Sequence, residues 1–306
     1  MTRRRPADAV HVQAPGKINL YLEVGARQAD GYHDVASVYQ AVSVVEDLWA
    51  WHDERFGVTV EGDVPTTAVP GDERNLAVRA ARLLAAEIGW RGGVHLGIRK
   101  SVPVAGGMGG GSADAAAALV ACDALWGAGL APAELHALAV RLGADVPFAL
   151  TGGAAVGTGR GDDLAPAPAR GRFDWVLITA AAGLATPRVY AEWDRIVGAN
   201  GVDPRAPRVD PLVLAALRAG DPERLGPVLR NDLQTAALRL RPQLAEVLAA
   251  GADAGAIGGI VSGSGPTVAL LASDPEAAER LRAAMAAAGH SALAAHGPVP
   301  GAHVMP

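Results

Sequence analysis

The amino-acid sequence predicts a globular protein of mixed helices and strands, arranged in two domains. The chain has 306 residues and half of them are hydrophobic, which allows two modest cores. Segments with the two-residue period of strands are interspersed with alanine-rich segments of helical character. A stretch at residues 162–172 contains two prolines and separates a first domain, residues 1–165, from a second, residues 166–306.

Composition and charge narrow the class of protein. The net charge of −5 gives no support for nucleic acid or an anionic membrane as a partner. No uninterrupted run of about 18 apolar residues is present, and the start of the chain lacks the apolar core of a signal peptide. Cys122 is the only cysteine, so no disulfide can form within the chain and a cytoplasmic location is expected. The sequence leaves open whether the protein is a monomer or a weak homodimer.

The first predicted element is a strand from His11 to Val24, with a break at Pro15 and Gly16. Apolar and polar residues alternate after the break, so Lys17 and Asn19 share one face of the strand. That face is either the solvent side of an edge strand or part of a site. A turn follows at Asp30-Gly31, and it presents Tyr32 and His33 either at a binding loop or as an ordinary turn with a half-buried aromatic residue.

A helix is predicted from Asn75 to Ile88, after further strands at residues 39–51 and 56–61. Asn75 is a good N-cap residue, because its side-chain oxygen can accept from a free backbone N–H. A short strand from Val94 to Ile98 then leads into residues 106–111, which hold five glycines in six positions. Glycine lets the backbone approach another molecule closely.

An alanine-rich helix, Ala113 to Trp126, leaves this glycine loop. The free N–H groups and positive dipole end of that helix, next to a glycine loop, favour a phosphate chain as the ligand. A flexible linker is the alternative, but linkers rarely join a strand to a helix. The spacing fits neither the Walker pattern nor the dinucleotide pattern G-x-G-x-x-G, so the loop is a phosphate loop of another type.

Asp145 is a charged residue in an otherwise apolar segment. Asp145 lies between small and apolar residues, after a helix from Ala133 to Leu142. It is either a turn or helix-capping residue or a catalytic one. In the second half, a helix is expected to begin at Thr186 as its cap, and a second glycine loop at residues 262–267 precedes a strand. The tail after Pro298 is expected to be frayed.

Several of these segments together resemble the GHMP kinases, the superfamily of galactokinase, homoserine kinase and mevalonate kinase. The stretch from Pro103 to Ala113 resembles their central motif, residues 14–20 their first motif and residues 262–267 their third. Residues 27–33 (R-x-x-D-G-Y-H), together with residues 142–148, are similar to the branch that phosphorylates a cytidine diphosphate-linked methylerythritol for isoprenoid synthesis. The resemblance spans nearly the whole chain and implies an α+β, two-domain fold with a ribosomal-S5-like first domain and a ferredoxin-like second domain.

The resemblance also implies ATP as co-substrate, Mg²⁺ and a set of site residues. Asp145 would be the general base and Lys17 would stabilise the developing charge, with Ser112 as a Mg²⁺ ligand. The implied ATP-binding residues are Asn75, Pro103, Val104, Ala105, Gly106, Gly107, Met108, Gly109, Gly110, Gly111, Ser112 and Ala113. The implied acceptor-binding residues are Asn19, Tyr32, His33, Tyr39, Thr186 and Tyr190.

Two residues differ from the family pattern, and three other functions are possible. Met108 stands where leucine is frequent, and Asp114 adds a negative charge beside the phosphate loop. A GHMP kinase for another alcohol, such as homoserine or mevalonate, should lack the pocket formed by Tyr32 and His33. The other two are a GHMP-fold decarboxylase and a catalytically silent nucleotide-binding regulator.

Overall fold

The computed structural model describes residues 5–180, 183–201 and 204–306, which form two sheets flanked by helices. In chain order the strands are β1 (Val10–Arg27), β2 (His33–Asp53), β3 (Gly57–Gly62), β4 (Gly93–Lys100), β5 (Ala154–Thr158), β6 (Asp163–Pro166), β7 (Phe173–Thr179), β8 (Arg230–Asn231), β9 (Gly258–Val261), β10 (Val268–Ala272), β11 (Ser291–Gly297) and β12 (His303–Val304). The helices are α1 (Leu76–Ile88), α2 (Gly110–Trp126), α3 (Pro132–Leu142), α4 (Val146–Thr151), α5 (Thr186–Ala199), α6 (Pro211–Ala219), α7 (Pro222–Leu225), α8 (Gln234–Leu240), α9 (Gln243–Asp253) and α10 (Pro275–Ala287).

The larger sheet is built mostly from the first half of the chain. Its strands follow the order β12-β1-β2-β4-β3, with β5 paired to β2, β6 to β5 and β8 to β1. The antiparallel ladder of β1 and β2 shifts register between Pro15 and Gly16, at the break that the sequence predicts. Helices α1 to α4 pack on this sheet around one core, where the buried alanines of α2 allow close helix–sheet contact.

The smaller sheet has the antiparallel order β11-β7-β10-β9. A core on one of its faces includes residues of α5, α8, α9 and α10. In another core, Ile18 and Leu20 of β1 pack with Trp175 and Leu177 of β7. The strand β1 therefore belongs to the contact between the two sheets, and its polar residues lie where the two halves of the chain meet. The backbone N–H of Asn19 donates to Ser262 Oγ at 3.2 Å, which links the two halves of the chain.

Of the two interpretations of the polar face of β1, the solvent side of an edge strand is excluded, because only 9% and 3% of the surfaces of Lys17 and Asn19 are exposed. One expectation from the sequence is wrong. The tail after Pro298 is not frayed, because β12 pairs with β1 and the Met305 N–H donates to the His11 carbonyl at 2.8 Å. The tail holds its place through backbone pairing with β1, at the other end of the chain, which no local sequence pattern signals.

The chain passes from the larger sheet to the smaller one between β6 and β7, and β8 and β12 return to the larger sheet. The division into two domains between residues 165 and 166 stays a prediction.

Within the described residues, no helix combines the length and apolar character needed to cross a membrane.

Candidate active site

The glycine loop between β4 and α2 forms one wall of a cavity of about 380 Å³. All residues from Pro103 to Gly111 line it, whereas Ala113 packs into the core behind the loop. The helix α2 begins at Gly110, three residues earlier than predicted, because Gly109 adopts a left-handed conformation (φ 72°) that starts the helix without a side-chain cap. The first turn of α2 thus begins with Gly110 and Gly111, which line the cavity and carry no side chains in front of their backbone N–H groups.

The second glycine loop holds the first one in place. The Thr267 N–H donates to the Gly106 carbonyl at 3.3 Å, and the Lys17 N–H donates to the Met108 carbonyl at 2.9 Å. A Cβ atom on Gly107 would lie 2.9 Å from the Gly265 carbonyl oxygen, so the two loops touch backbone to backbone. Glycine is required at residue 107 both for this contact and for its positive φ of 77°. The predicted first, second and third motifs therefore meet in space.

A buried ion cluster lies directly behind the phosphate loop. Lys100, 2% exposed, pairs with Asp114 Oδ2 at 2.7 Å and with Glu46 Oε1. Glu46 also accepts from the Ser101 N–H at 2.9 Å. Burial, together with the Asp114 charge, raises the pKa of Glu46 to about 7, against the opposing effect of the Lys100 ammonium. The cluster joins β2, β4 and α2, so the negative charge of Asp114 is paired with Lys100 rather than left beside the phosphates.

Asn75 is the N-cap residue of α1, as the sequence predicts. Its Oδ1 accepts from the Ala77 N–H at 2.9 Å and caps α1, and its Nδ2 donates to the Pro70 carbonyl at 2.8 Å. Asn75 and Pro70 also line the cavity of the glycine loop. The cap thereby fixes the shape of the cavity wall.

Asp145 and Lys17 form a charged pair beside the phosphate loop. The Lys17 ammonium lies 3.9 Å from Asp145 Oδ2. Asp145 lies in the turn before α4, at the N-cap position, but its side chain makes no capping hydrogen bond and is therefore not used as a cap. A Cβ atom on Gly109 would lie 3.4 Å from Lys17 Cγ and 3.9 Å from Asp145 Cβ, which places both side chains against the loop.

The Lys17 ammonium is oriented by a chain of hydrogen bonds. It donates to Asn19 Oδ1 at 2.8 Å, and Asn19 Nδ2 donates to Ser37 Oγ at 2.8 Å. The ring of Tyr39 lies 5.3 Å below the ammonium, in a cation–π contact. Burial and the Asp145 carboxylate raise the pKa of the Tyr39 phenol well above its usual value, so the ring is neutral. A second cavity of about 320 Å³ is lined by Lys17, Asn19, Tyr39, Asp145 and Ser112.

A third cavity, of about 650 Å³, opens beyond this pair and contains the predicted aromatic residues. His33 is buried and stacks on Tyr190, with ring centroids 5.0 Å apart. Its Nε2 is 2.8 Å from Asp194 Oδ1. Tyr32 is 57% exposed, and the Arg160 guanidinium lies 4.1 Å from its ring centroid. His33 thus covers one face of Tyr190, and the Arg160 guanidinium covers one face of Tyr32.

The sequence predicts Thr186 as the cap of α5, and this prediction is wrong, because the N-cap residue is Ala185. Its hydroxyl instead lies 2.9 Å from Ser264 Oγ in the second glycine loop. This contact ties the start of α5 to the phosphate-loop region, and Thr186 lines both the second and the third cavity.

The three cavities form one continuous cleft. The first and second share Gly107 and Gly109 in their walls. The second and third share Val35, Ala144, Arg160, Thr186 and Tyr190. A long molecule can therefore lie with one end against the aromatic residues and the other end beside Asp145 and the phosphate loop.

Sequence reasoning missed Arg160 and Asp194. Arg160 stands in the glycine turn after β5, and Asp194 stands in the middle of α5. Neither position carries a local signal, because each becomes a site residue only when the turn and the helix come together across the cleft.

Comparison with known proteins shows the family and the fold of the chain. The family model of the GHMP kinases N terminal domain matches residues 75–153, and that of the GHMP kinases C terminal domain matches residues 213–291. A crystal structure of homoserine kinase from Cytophaga hutchinsonii superposes with a TM-score of 0.73 over all of both chains, at 20% identity, which shows the shared fold. The chain belongs to the GHMP kinases, and the predicted α+β fold of that superfamily is confirmed.

More similar proteins define the branch. The 4-diphosphocytidyl-2-C-methyl-D-erythritol kinase of Clavibacter michiganensis subsp. michiganensis is 56% identical, over 98% of this chain and 97% of the relative. The protein of the same name from Leifsonia xyli subsp. xyli is 57% identical, over 97% and 99%. A crystal structure of 4-(cytidine 5'-diphospho)-2C-methyl-D-erythritol kinase has a TM-score of 0.77 at 34% identity, over 94% of this chain and 98% of that one. Within the GHMP kinases, the chain therefore belongs to the family of 4-diphosphocytidyl-2-C-methyl-D-erythritol kinases.

Proposed function

We propose that this chain transfers the γ-phosphoryl group of ATP to the 2-hydroxyl of 4-diphosphocytidyl-2-C-methyl-D-erythritol, in non-mevalonate isoprenoid precursor biosynthesis. The observation that carries the proposal is the continuous cleft, which joins the phosphate loop, the Lys17–Asp145 pair and the cavity around His33 and Tyr190. The relatives that share more than half of its residues carry the name of this kinase. Action in the cytoplasm, as a monomer or weak homodimer, remains a prediction from the sequence.

ATP is proposed to occupy the cavity between α1 and the glycine loop. Its phosphates would meet the backbone N–H groups at the start of α2, while the base would lie near Asn75 and Pro70. In phosphoryl transfer the protein mainly positions the two substrates and neutralises the charge on the phosphates. The contact between the two glycine loops, at Gly107 and Gly265, fixes that position from both halves of the chain.

The proton of the acceptor hydroxyl is proposed to pass to Asp145. This carboxylate is partly exposed to the second cavity, with 36% of its side chain accessible, and it is not used in capping α4. Lys17, 3.9 Å away and held by Asn19, would stabilise the negative charge that develops on the transferring group.

The residues of the second cavity also fit Mg²⁺, which takes oxygen ligands. The Ser112 hydroxyl, in the first turn of α2, and the Asp145 carboxylate both line it. Over residues 5–180, 183–201 and 204–306, no group of three or more His, Cys, Asp or Glu side chains is arranged to hold a metal ion. Mg²⁺ would therefore be shared between the phosphates of ATP and Ser112, and when bound it would neutralise phosphate charge.

A panel assay tests the proposal. The purified chain is incubated with ATP and, separately, with 4-diphosphocytidyl-2-C-methyl-D-erythritol, homoserine and mevalonate, and ADP release is measured. We expect turnover with the first alcohol alone. A preference for homoserine or mevalonate would transfer the assignment to another branch of the GHMP kinases, and no turnover with any alcohol would favour the silent regulator.

A further inference from the structure

The cleft must accommodate the diphosphate that joins the cytidine to the sugar alcohol, and its position follows from the cavities. With the base near His33 and the reacting hydroxyl near Asp145, the diphosphate has to cross the junction between the third and the second cavity. Five residues line both cavities, and Arg160 is the only charged side chain among them in the described part of the chain.

The other lysine and arginine residues that line the second or the third cavity do not lie at this junction. Lys17 lines the second cavity and is bonded to Asn19. Arg27 and Arg141 line the third cavity; the first donates to the Gly31 carbonyl at 3.3 Å, and the second pairs with Glu87 on α1 at 3.3 Å. None of these three residues lines both cavities.

Arg160 is also held in a way that leaves donors free. Its Nη2 donates to Asp30 Oδ2 at 2.5 Å, and its guanidinium plane rests on Tyr32. A guanidinium has five N–H donors in a rigid fork that matches phosphate oxygens. The Asp30 contact anchors one nitrogen at the loop tip, and the remaining edge is available to an anion in the junction. The carboxylates of Asp145 and Asp162 in these cavity walls would otherwise repel a diphosphate.

We propose that Arg160 is the residue that binds the diphosphate of the acceptor, and that this contact gives the enzyme its preference for a nucleoside diphosphate-linked alcohol. The inference rests on the proposed function, because it takes the positions of the base and of the hydroxyl from it. Arg160 belongs to the turn after β5, so the cation enters the junction from the larger sheet while Tyr190 and Thr186 approach from α5.

The test compares binding of cytidine and CDP by calorimetry, with the ATP site filled by a non-hydrolysable ATP analogue. We expect the wild type to bind CDP more tightly than cytidine. Arg160→Gln should weaken CDP binding about 10- to 100-fold, the usual range for a charged hydrogen bond, with cytidine binding unchanged. Arg160→Lys should recover part of the loss, because it keeps the charge without the fork. In turnover assays, Arg160→Gln should raise the KM for the acceptor and leave the KM for ATP unchanged.

A matched control is Arg282→Gln, which removes an arginine from a surface ion pair with Glu279 on α10. It should change neither affinity. If Arg160→Gln keeps the full advantage of CDP over cytidine, the diphosphate is held elsewhere and the inference is wrong. If the variant weakens cytidine and CDP equally, Arg160 acts through the ring of Tyr32 and the inference is also wrong. A wild type that binds neither compound would instead overturn the proposed function and this inference with it.

Discussion

The buried cluster of Lys100, Glu46 and Asp114 predicts an unusual dependence of stability on pH. Burial and the neighbouring Asp114 charge raise the pKa of Glu46 from its ordinary value of 4.5 to about 7. Between these two pH values the folded protein holds a proton that the unfolded chain has released. The contribution of Glu46 to the free energy of unfolding is therefore complete below about pH 4.5 and is lost as the pH rises through about 7.

The size of the effect follows from the difference between the two pKa values. At roughly 1.4 kcal/mol per pH unit, the rise from 4.5 to about 7 is worth on the order of 3 kcal/mol, and this contribution belongs to the Glu46–Asp114 pair as a whole. Glu46 and Asp114 share one lysine, so the two carboxylates titrate as a coupled pair rather than separately. Asp114→Asn keeps an oxygen for Lys100 but removes the second negative charge. That variant leaves one carboxylate facing one ammonium.

Urea unfolding of the wild type and of Asp114→Asn at pH 5, 6, 7 and 8 measures this contribution. Every other titrating group is common to the two proteins, so the difference between their free energies of unfolding isolates the cluster. We expect Asp114→Asn to gain stability relative to the wild type as the pH rises, because it lacks the charge that opposes ionisation of Glu46. A difference that stays constant from pH 5 to pH 8 would refute this reasoning.

Three further predictions concern the cleft. Asp145→Asn should keep the fold and the affinity for ATP but lower kcat about 10²- to 10⁴-fold, the range for a positioned base; kcat within a few-fold of wild type would reject the role. Gly110→Val should lower both Tm and ATP affinity, because a Cβ at residue 110 would lie 2.9 Å from Glu46 Oε1. Gly111→Ala is the control and should keep the Tm of the wild type, because a Cβ at residue 111 meets nothing within 4 Å. His33→Ala removes the stacking on the α5 tyrosine and should raise the KM for the cytidine acceptor, with the KM for ATP as the control; an unchanged acceptor KM would remove His33 from the site.

The sequence predicts those features whose cause is local. The strand β1, the cap at Asn75 and the glycine turn before α2 each depend on a few consecutive residues, and the structure confirms them, whereas burial does not alternate along the middle of β1. The start of α2 was misplaced because a glycine-rich turn can also form the first turn of a helix. The glycine at residue 109 supplies the left-handed conformation that begins it.

Features that depend on distant residues could not be predicted. The partners of Lys100 come from residues 46 and 114, on another strand and on the following helix. The contact of Arg160 with Tyr32 joins residues more than a hundred positions apart, and the pairing of β12 with β1 joins the two ends of the described chain. Such contacts follow from the topology of the sheets, which no local pattern encodes.

The central claim is that the aromatic cavity selects the cytidine diphosphate end of the acceptor while Asp145 and the phosphate loop act on its hydroxyl. It is tested most directly by kcat/KM for 4-diphosphocytidyl-2-C-methyl-D-erythritol and for free methylerythritol, with the wild type, Tyr32→Ala and His33→Ala. We expect the wild type to use the linked alcohol far better than the free one, since a site built around polar contacts with a ligand group strongly rejects a molecule that lacks it. Both variants should reduce this preference. Equal use of the two alcohols by the wild type would contradict the claim.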